Sequence, residues 1–166
     1  MPQATTLPAP ISSGGSVDQI QAAFQIVARA ITNVRLHERL LQAAGVRLDR
    51  AGVALLYKLH VHGEPLRVTE LATLLDVDAP TVTRKIQQLE REQMVSRHAD
   101  PDDRRATRIG LTPTGRRTIG RVLKARRAWF DRMVAEWDEG DLANFATLLG
   151  RFAAALERDI EDARGG

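Results

Sequence analysis

Residues 100–115 read DPDDRRATRIGLTPTG, and the fold turns on how this stretch is understood. It sets aspartates and arginines side by side between two segments of strand character, MVSRHA (94–99) and ATRIGLT (106–112). Turn-forming residues between two such runs predict a hairpin. A charged hairpin tip suits a DNA minor groove, where a narrow groove concentrates negative potential and draws in arginine. Bare arginines on a loose loop would bind any acid. A neighbouring carboxylate can hold a guanidinium by a charge-assisted hydrogen bond and fix its direction. On this reading Asp103 is the orienting carboxylate, Arg104 and Arg105 form the tip, and Arg108 stands on the returning strand. The competing reading is a solvated charged turn, and the residues before the hairpin decide between them.

Upstream, VTELATLLDV (68–77) predicts a short helix capped by Thr69, followed by a tight turn at Val77-Asp78. DAPTVTRKIQQLEREQ (78–93) predicts a second helix opening at Asp78, with Pro80 accommodated in its first turn. Val82, Ile86 and Leu89 share one face of that helix at helical spacing. The opposite face carries Pro80, Thr83, Arg84, Gln87, Gln88 and Arg91, with Thr81 near its edge. It holds no carboxylate, and its guanidinium, amide and hydroxyl groups are those that hydrogen-bond base edges and phosphates. A short helix, a tight turn and such a helix make a helix-turn-helix pattern. A merely solvated face would look similar, and the hairpin that follows favours the DNA reading.

The flanks are helical. Val17, Ile20, Phe24, Val27, Ile31, Val34 and Leu41 step by threes and fours, interrupted by Glu38, and predict one long helix opened by a Ser16/Gln19 capping box. LDRAGVALLYKLHVHGEP (48–65) predicts a helix from Asp49, stopped by Gly63 and Pro65. Thr112 and Pro113 open a helix running to about Trp137. Asp138 and Asp141 open the last one, whose Leu142, Phe145, Leu149, Phe152, Leu156 and Ile160 form a second near-heptad seam. Two narrow apolar stripes on long helices call for partner helices, within one subunit or between two.

The whole pattern resembles the MarR family of winged helix-turn-helix transcription regulators. Its most specific sign is Asp-Pro-x-Asp-Arg-Arg followed by Leu-Thr-x-x-Gly, and the likeness runs from about residue 17 to 160. The resemblance implies a mainly α fold with a small β-hairpin. A flexible tail (1–15) would precede an N-terminal dimerisation helix (16–46), a winged helix-turn-helix domain (47–112) and C-terminal dimerisation helices (113–164). It further implies a homodimer that binds an inverted-repeat operator in double-stranded DNA. The helix bearing Thr81 and Arg84 would enter the major groove, and Arg104 and Arg105 the minor groove. Such a protein would repress nearby genes and release DNA when a small, phenolic or anionic ligand enters a cleft between the dimerisation and DNA-binding parts. The alternative is a winged-helix module that binds protein partners and has lost DNA.

Composition narrows the rest. The chain of 166 residues is 43% hydrophobic but 4% aromatic, so aliphatic side chains must build the core. A formal charge of +3 and a pI of about 9.9 accommodate nucleic acid without demanding it. With no cysteine, disulfides, thiolate metal sites and thiol redox sensing are excluded. No apolar run approaches the roughly 18 residues of a membrane span, and the first residues lack a signal-peptide pattern, so a cytoplasmic protein is expected. His60 and His62, two apart on a helix, point away from each other and make a poor chelate, so no metal is expected. No nucleophile elbow or phosphate-binding loop occurs, and neither catalysis nor a cofactor is expected.

Arg126 falls within the apolar stripe Ile119, Val122, Leu123, Phe130, Met133, Val134 and Trp137, where a cation requires a partner. An ion pair with Glu38 is the favoured reading. The other is an anionic effector on Arg126, walled by Trp129, Tyr57 or His60.

Overall fold

A computed structural model describes residues 15–101, 103 and 106–165. The elements run α1 (Ser16–Thr32), α2 (Val34–Ala44), α3 (Arg50–His62), β1 (Leu66–Arg67), α4 (Val68–Leu75), α5 (Ala79–Arg91), β2 (Val95–Ala99), β3 (Thr107–Leu111), α6 (Pro113–Met133) and α7 (Glu139–Gly165). The chain forms two compact units that divide between Ala125 and Arg126.

The first unit contains the winged motif. Its core is aliphatic, as the composition requires: Leu55, Leu56, Leu71, Ile86, Leu89, Ile109 and Ile119 are all fully buried. These residues come from α3, α4, α5, β3 and α6, so one core ties the helix pair to the sheet. The sheet has the order β1-β3-β2 and is antiparallel throughout. Val95 pairs with Leu111 and Ala99 with Thr107, which makes the predicted hairpin, while Leu66 and Arg67 add a third strand against Ile109 and Arg108.

Local chemistry explains most boundaries. Asp49 and Asp78 accept the Gly52 and Thr81 N–H groups at 2.8 and 2.7 Å, capping α3 and α5. Gly63, at φ 82°, ends α3 in the left-handed conformation. Asp138 caps α7 through the Asp141 N–H at 2.8 Å.

Four expectations are corrected. The predicted first helix is two helices, because Asn33 leaves helical geometry (φ −68°, ψ 116°) and its side chain accepts the Leu36 N–H at 3.1 Å. Gly15, not Ser16, stands at the start of α1, and no side chain caps it. In α4 the capping position is Arg67 rather than Thr69, and Glu70 accepts the Arg67 N–H at 2.6 Å. Finally α6 ends at Met133, four residues before Trp137.

In the second unit, α7 presents Phe145, Leu148, Leu149, Phe152, Leu156 and Ile160 to solvent. In the first unit α1 buries no residue, and Val17, Ile20, Phe24, Val27 and Ile31 are exposed. No helix among the described residues is long and apolar enough to cross a membrane.

Candidate nucleic-acid interface

The helix pair is joined by a short turn whose geometry the side chains fix. Asp76 takes the left-handed conformation (φ 54°) that ends α4, and its N–H reaches the Thr73 carbonyl at 3.2 Å. Asp78 then opens α5. The Thr81 hydroxyl and backbone N–H both bind its carboxylate and hold it below the usual aspartate range. Asp49 is also held low: partial burial pushes it up, but hydrogen bonds from Lys85 and the Gly52 N–H outweigh that.

On α5 the division of faces is as expected, with Val82, Ile86 and Leu89 buried. The outer residues fall into two groups. Thr83 Oγ1 donates to the Ala79 carbonyl at 2.8 Å, and Thr81 serves the cap. Gln88 lies in a chain along one edge, in which Lys85 Nζ donates to Asp49 Oδ2 (2.6 Å) and Gln88 Oε1 (2.8 Å), and Gln88 Nε2 donates to Glu92 Oε1 (3.0 Å). Pro80, Arg84, Gln87 and Arg91 remain exposed. Among the described residues no hydrogen bond or ion pair engages Arg84, Gln87 or Arg91. Spaced three and four apart, these three side chains form one row of donors on the side away from the core.

The hairpin is anchored at its base. The Asp100 side chain is fully buried, and its Oδ2 accepts from Arg67 Nε at 2.6 Å and Arg108 Nε at 2.9 Å. A buried carboxylate is tolerable because two guanidiniums replace its water. The same contact holds both arginines above their ordinary range. Asp100 therefore joins β1 to β3 at the point where the sheet becomes the loop. The Asp100 N–H adds a bond to the Ala106 carbonyl at 3.2 Å. Arg97 grips Glu90 through two contacts of 3.0 and 3.2 Å, tying β2 to α5.

Asp100 holds Arg108 on the returning strand, while Asp103, the expected orienting carboxylate, offers its carbonyl to the Ala106 N–H (2.9 Å) and its charge to Arg67. Arg104 and Arg105, the expected tip residues, lie outside the described residues. Arg67, Lys85, Arg97 and Asp100 were not singled out from sequence. Asp100 opens the same motif, but its partner Arg67 is 33 residues away and nothing local announces the pair.

Behind the hairpin, Thr112 Oγ1 donates to the Gln93 carbonyl (2.6 Å) and accepts the Gly115 N–H (3.0 Å), while the Thr112 N–H binds the Met94 carbonyl (3.1 Å). A Cβ on Gly115 would stand 2.0 Å from that carbonyl oxygen. The Leu-Thr-x-x-Gly signature is the joint at which the start of α6 closes onto the turn between α5 and β2.

Of the residues considered for an effector, His60 lines a cavity of about 380 Å3, and Tyr57, Arg126 and Trp129 are not among its lining residues. Trp129 makes an edge contact with Phe130, with ring centroids 5.0 Å apart. No group of three His, Asp or Glu able to hold a metal occurs among the described residues.

A family model described as MarR family matches residues 48–107, the span from α3 to the wing. The chain is 31% identical over 109 residues to YxaD, an HTH-type transcriptional regulator of Bacillus subtilis, covering 66% of this chain and 76% of that one. It is 27% identical over 144 residues to the HTH-type transcriptional repressor MdtR of the same organism, covering 87% and 92%. The crystal structure of RV1404 from Mycobacterium tuberculosis superposes with a TM-score of 0.68 at 26% identity, covering 86% of this chain and 95% of that one.

Proposed function

The chain belongs to the MarR family, transcription regulators with a winged helix-turn-helix DNA-binding fold, and from that membership we propose that it is a homodimeric repressor of nearby genes. It binds an inverted-repeat operator and is released by a small ligand. The observation that carries the reading is the exposed row Arg84, Gln87 and Arg91, opposite a buried apolar face and with no side-chain hydrogen bond or ion pair among the described residues, beside a hairpin whose base is pinned by Asp100. A rigid helix fixes the backbone positions of these side chains in advance, so binding a base edge orders only the side chains themselves. Arg84 reads a base in the major groove, and Arg104 and Arg105 reach the minor groove. Similarity to MdtR, a repressor, supports the sign of regulation.

Dimerisation is supported by the exposed apolar rows of α1 and α7, which a single chain leaves in water. Two copies would set two recognition helices about one DNA turn, roughly 34–36 Å, apart.

The test is selection from a randomised duplex library at near-physiological salt, run with wild type and Arg84→Ala. Wild type enriches one inverted repeat. Arg84→Ala binds it less tightly by about 1–3 kcal/mol and loses preference at one position in each half-site. If neither protein enriches any sequence, the DNA-binding reading is wrong.

A further inference from the structure

We propose that Arg84 and Gln87 read a guanine and an adenine at neighbouring base pairs of each half-site, and that the adjacent Gln88 reads nothing. The inference names the bases recognised by the row on α5 and rests on the DNA-binding reading above.

Gln87 and Gln88 are the same side chain in different surroundings. Gln88 is half-buried, and both ends of its amide are occupied: Oε1 accepts from Lys85 Nζ at 2.8 Å, and Nε2 donates to Glu92 Oε1 at 3.0 Å. Lys85 is itself fixed by Asp49 Oδ2 at 2.6 Å, so the Gln88 amide is held from outside α5 as well as from within it. Glutamine identifies adenine with both ends of one amide, accepting from the N6 amine and donating to N7. Gln88 would exchange two hydrogen bonds to charged groups for two to a neutral base, and the charge-assisted bonds are the stronger. Gln87 is exposed, and among the described residues no hydrogen bond engages its amide. Its donor and acceptor are both available to a base edge.

The rest of the row fixes the neighbouring contacts. Arg84 is exposed, and a guanidinium pairs with guanine O6 and N7 through two hydrogen bonds. Three helical residues rise about 4.5 Å, close to the roughly 3.4 Å between stacked base pairs, so Arg84 and Gln87 fall on neighbouring pairs. Arg91 is the last residue of α5, about 10 Å along the helix from Arg84. The N-terminal part of a recognition helix meets the base edges, so Arg91 falls to the phosphates and adds affinity without sequence preference. The row contains no carboxylate, so it offers no acceptor to the N4 amine that marks cytosine.

The experiment is selection from a randomised duplex library at near-physiological salt with wild type, Gln87→Ala, Gln87→Glu, Gln88→Ala and Arg91→Ala, followed by affinities for the wild-type repeat. Wild type enriches an inverted repeat with guanine and adenine at neighbouring pairs of each half-site. Gln87→Ala binds that repeat about tenfold more weakly per half-site and accepts any base at the adenine position. Gln87→Glu, an exposed change, replaces the preference for adenine there with one for cytosine, because a carboxylate accepts from the N4 amine. Gln88→Ala keeps the wild-type preference at every position. Arg91→Ala weakens all duplexes alike and lowers the salt slope by about 1 per half-site. A repeat without the neighbouring guanine and adenine, an adenine preference that survives Gln87→Ala, or one that disappears in Gln88→Ala would each overturn the readout and leave the operator reading intact. No enrichment by wild type would overturn the operator reading itself, and this readout with it.

Discussion

Replacing Asp100 with alanine removes the buried carboxylate to which Arg67 and Arg108 both donate, at 2.6 and 2.9 Å. Each charge-assisted hydrogen bond contributes about 1.5–3 kcal/mol. Breaking a fully buried pair costs about 3–5 kcal/mol, because the surviving charge is left without water. Here the arginine side chains are 38% and 25% exposed and can rehydrate, which pulls the cost toward the lower end. The expected loss is about 3 kcal/mol, or a fall in Tm of roughly 6–12 °C for a chain of this size. Urea unfolding of Asp100→Ala, Arg67→Ala and the double variant closes a cycle, in which the Arg67 change should cost little once Asp100 is gone. Hydrogen exchange at Thr107 and Ala106 should quicken as the hairpin base loosens. A loss below about 1 kcal/mol with additive single changes would show that the carboxylate does not anchor the wing.

Three further outcomes are expected. Gly115→Ala drives a methyl into the Met94 carbonyl, a backbone group that cannot turn aside, and should cost about 3 kcal/mol or more; an unchanged Tm would refute the close joint. Asp49 and Asp78 sit below their unfolded value of 3.8, so their contribution is complete above that value and disappears as pH falls through the lower folded value; Asp49→Asn/Asp78→Asn should flatten stability against pH below about 4 while preserving both caps. Ile20→Asp and Leu149→Asp place charges on the exposed rows of α1 and α7 and should yield a monomer by sedimentation with the winged unit still folded; an unchanged dimer would relocate the interface.

The sequence disclosed whatever local chemistry governs. Asp49, Asp78, Thr112 and Asp138 act as caps where their side chains lie next to helix starts, and the buried face of α5 follows from spacing alone. Asn33 carried a local signal too, but a continuous apolar seam ran across it and suggested one helix where the capping residue makes two. The division of the α5 face was not legible. That Gln88 is committed to Lys85 and Glu92 while Gln87 is not depends on where Asp49, 36 residues before Lys85, places the lysine. Asp100 and Arg67 stayed hidden for the same reason, since strand register brings them together and no periodicity encodes it.

The junction of Thr112 and Gly115 with Gln93 and Met94 has a mechanical consequence. A contact with no room for a methyl group cannot serve as a pivot, so α6 behaves as a crank welded to the turn that follows α5. Torque applied along α6 must reach the row of Arg84, Gln87 and Arg91 as rigid rotation, with no play lost at the weld.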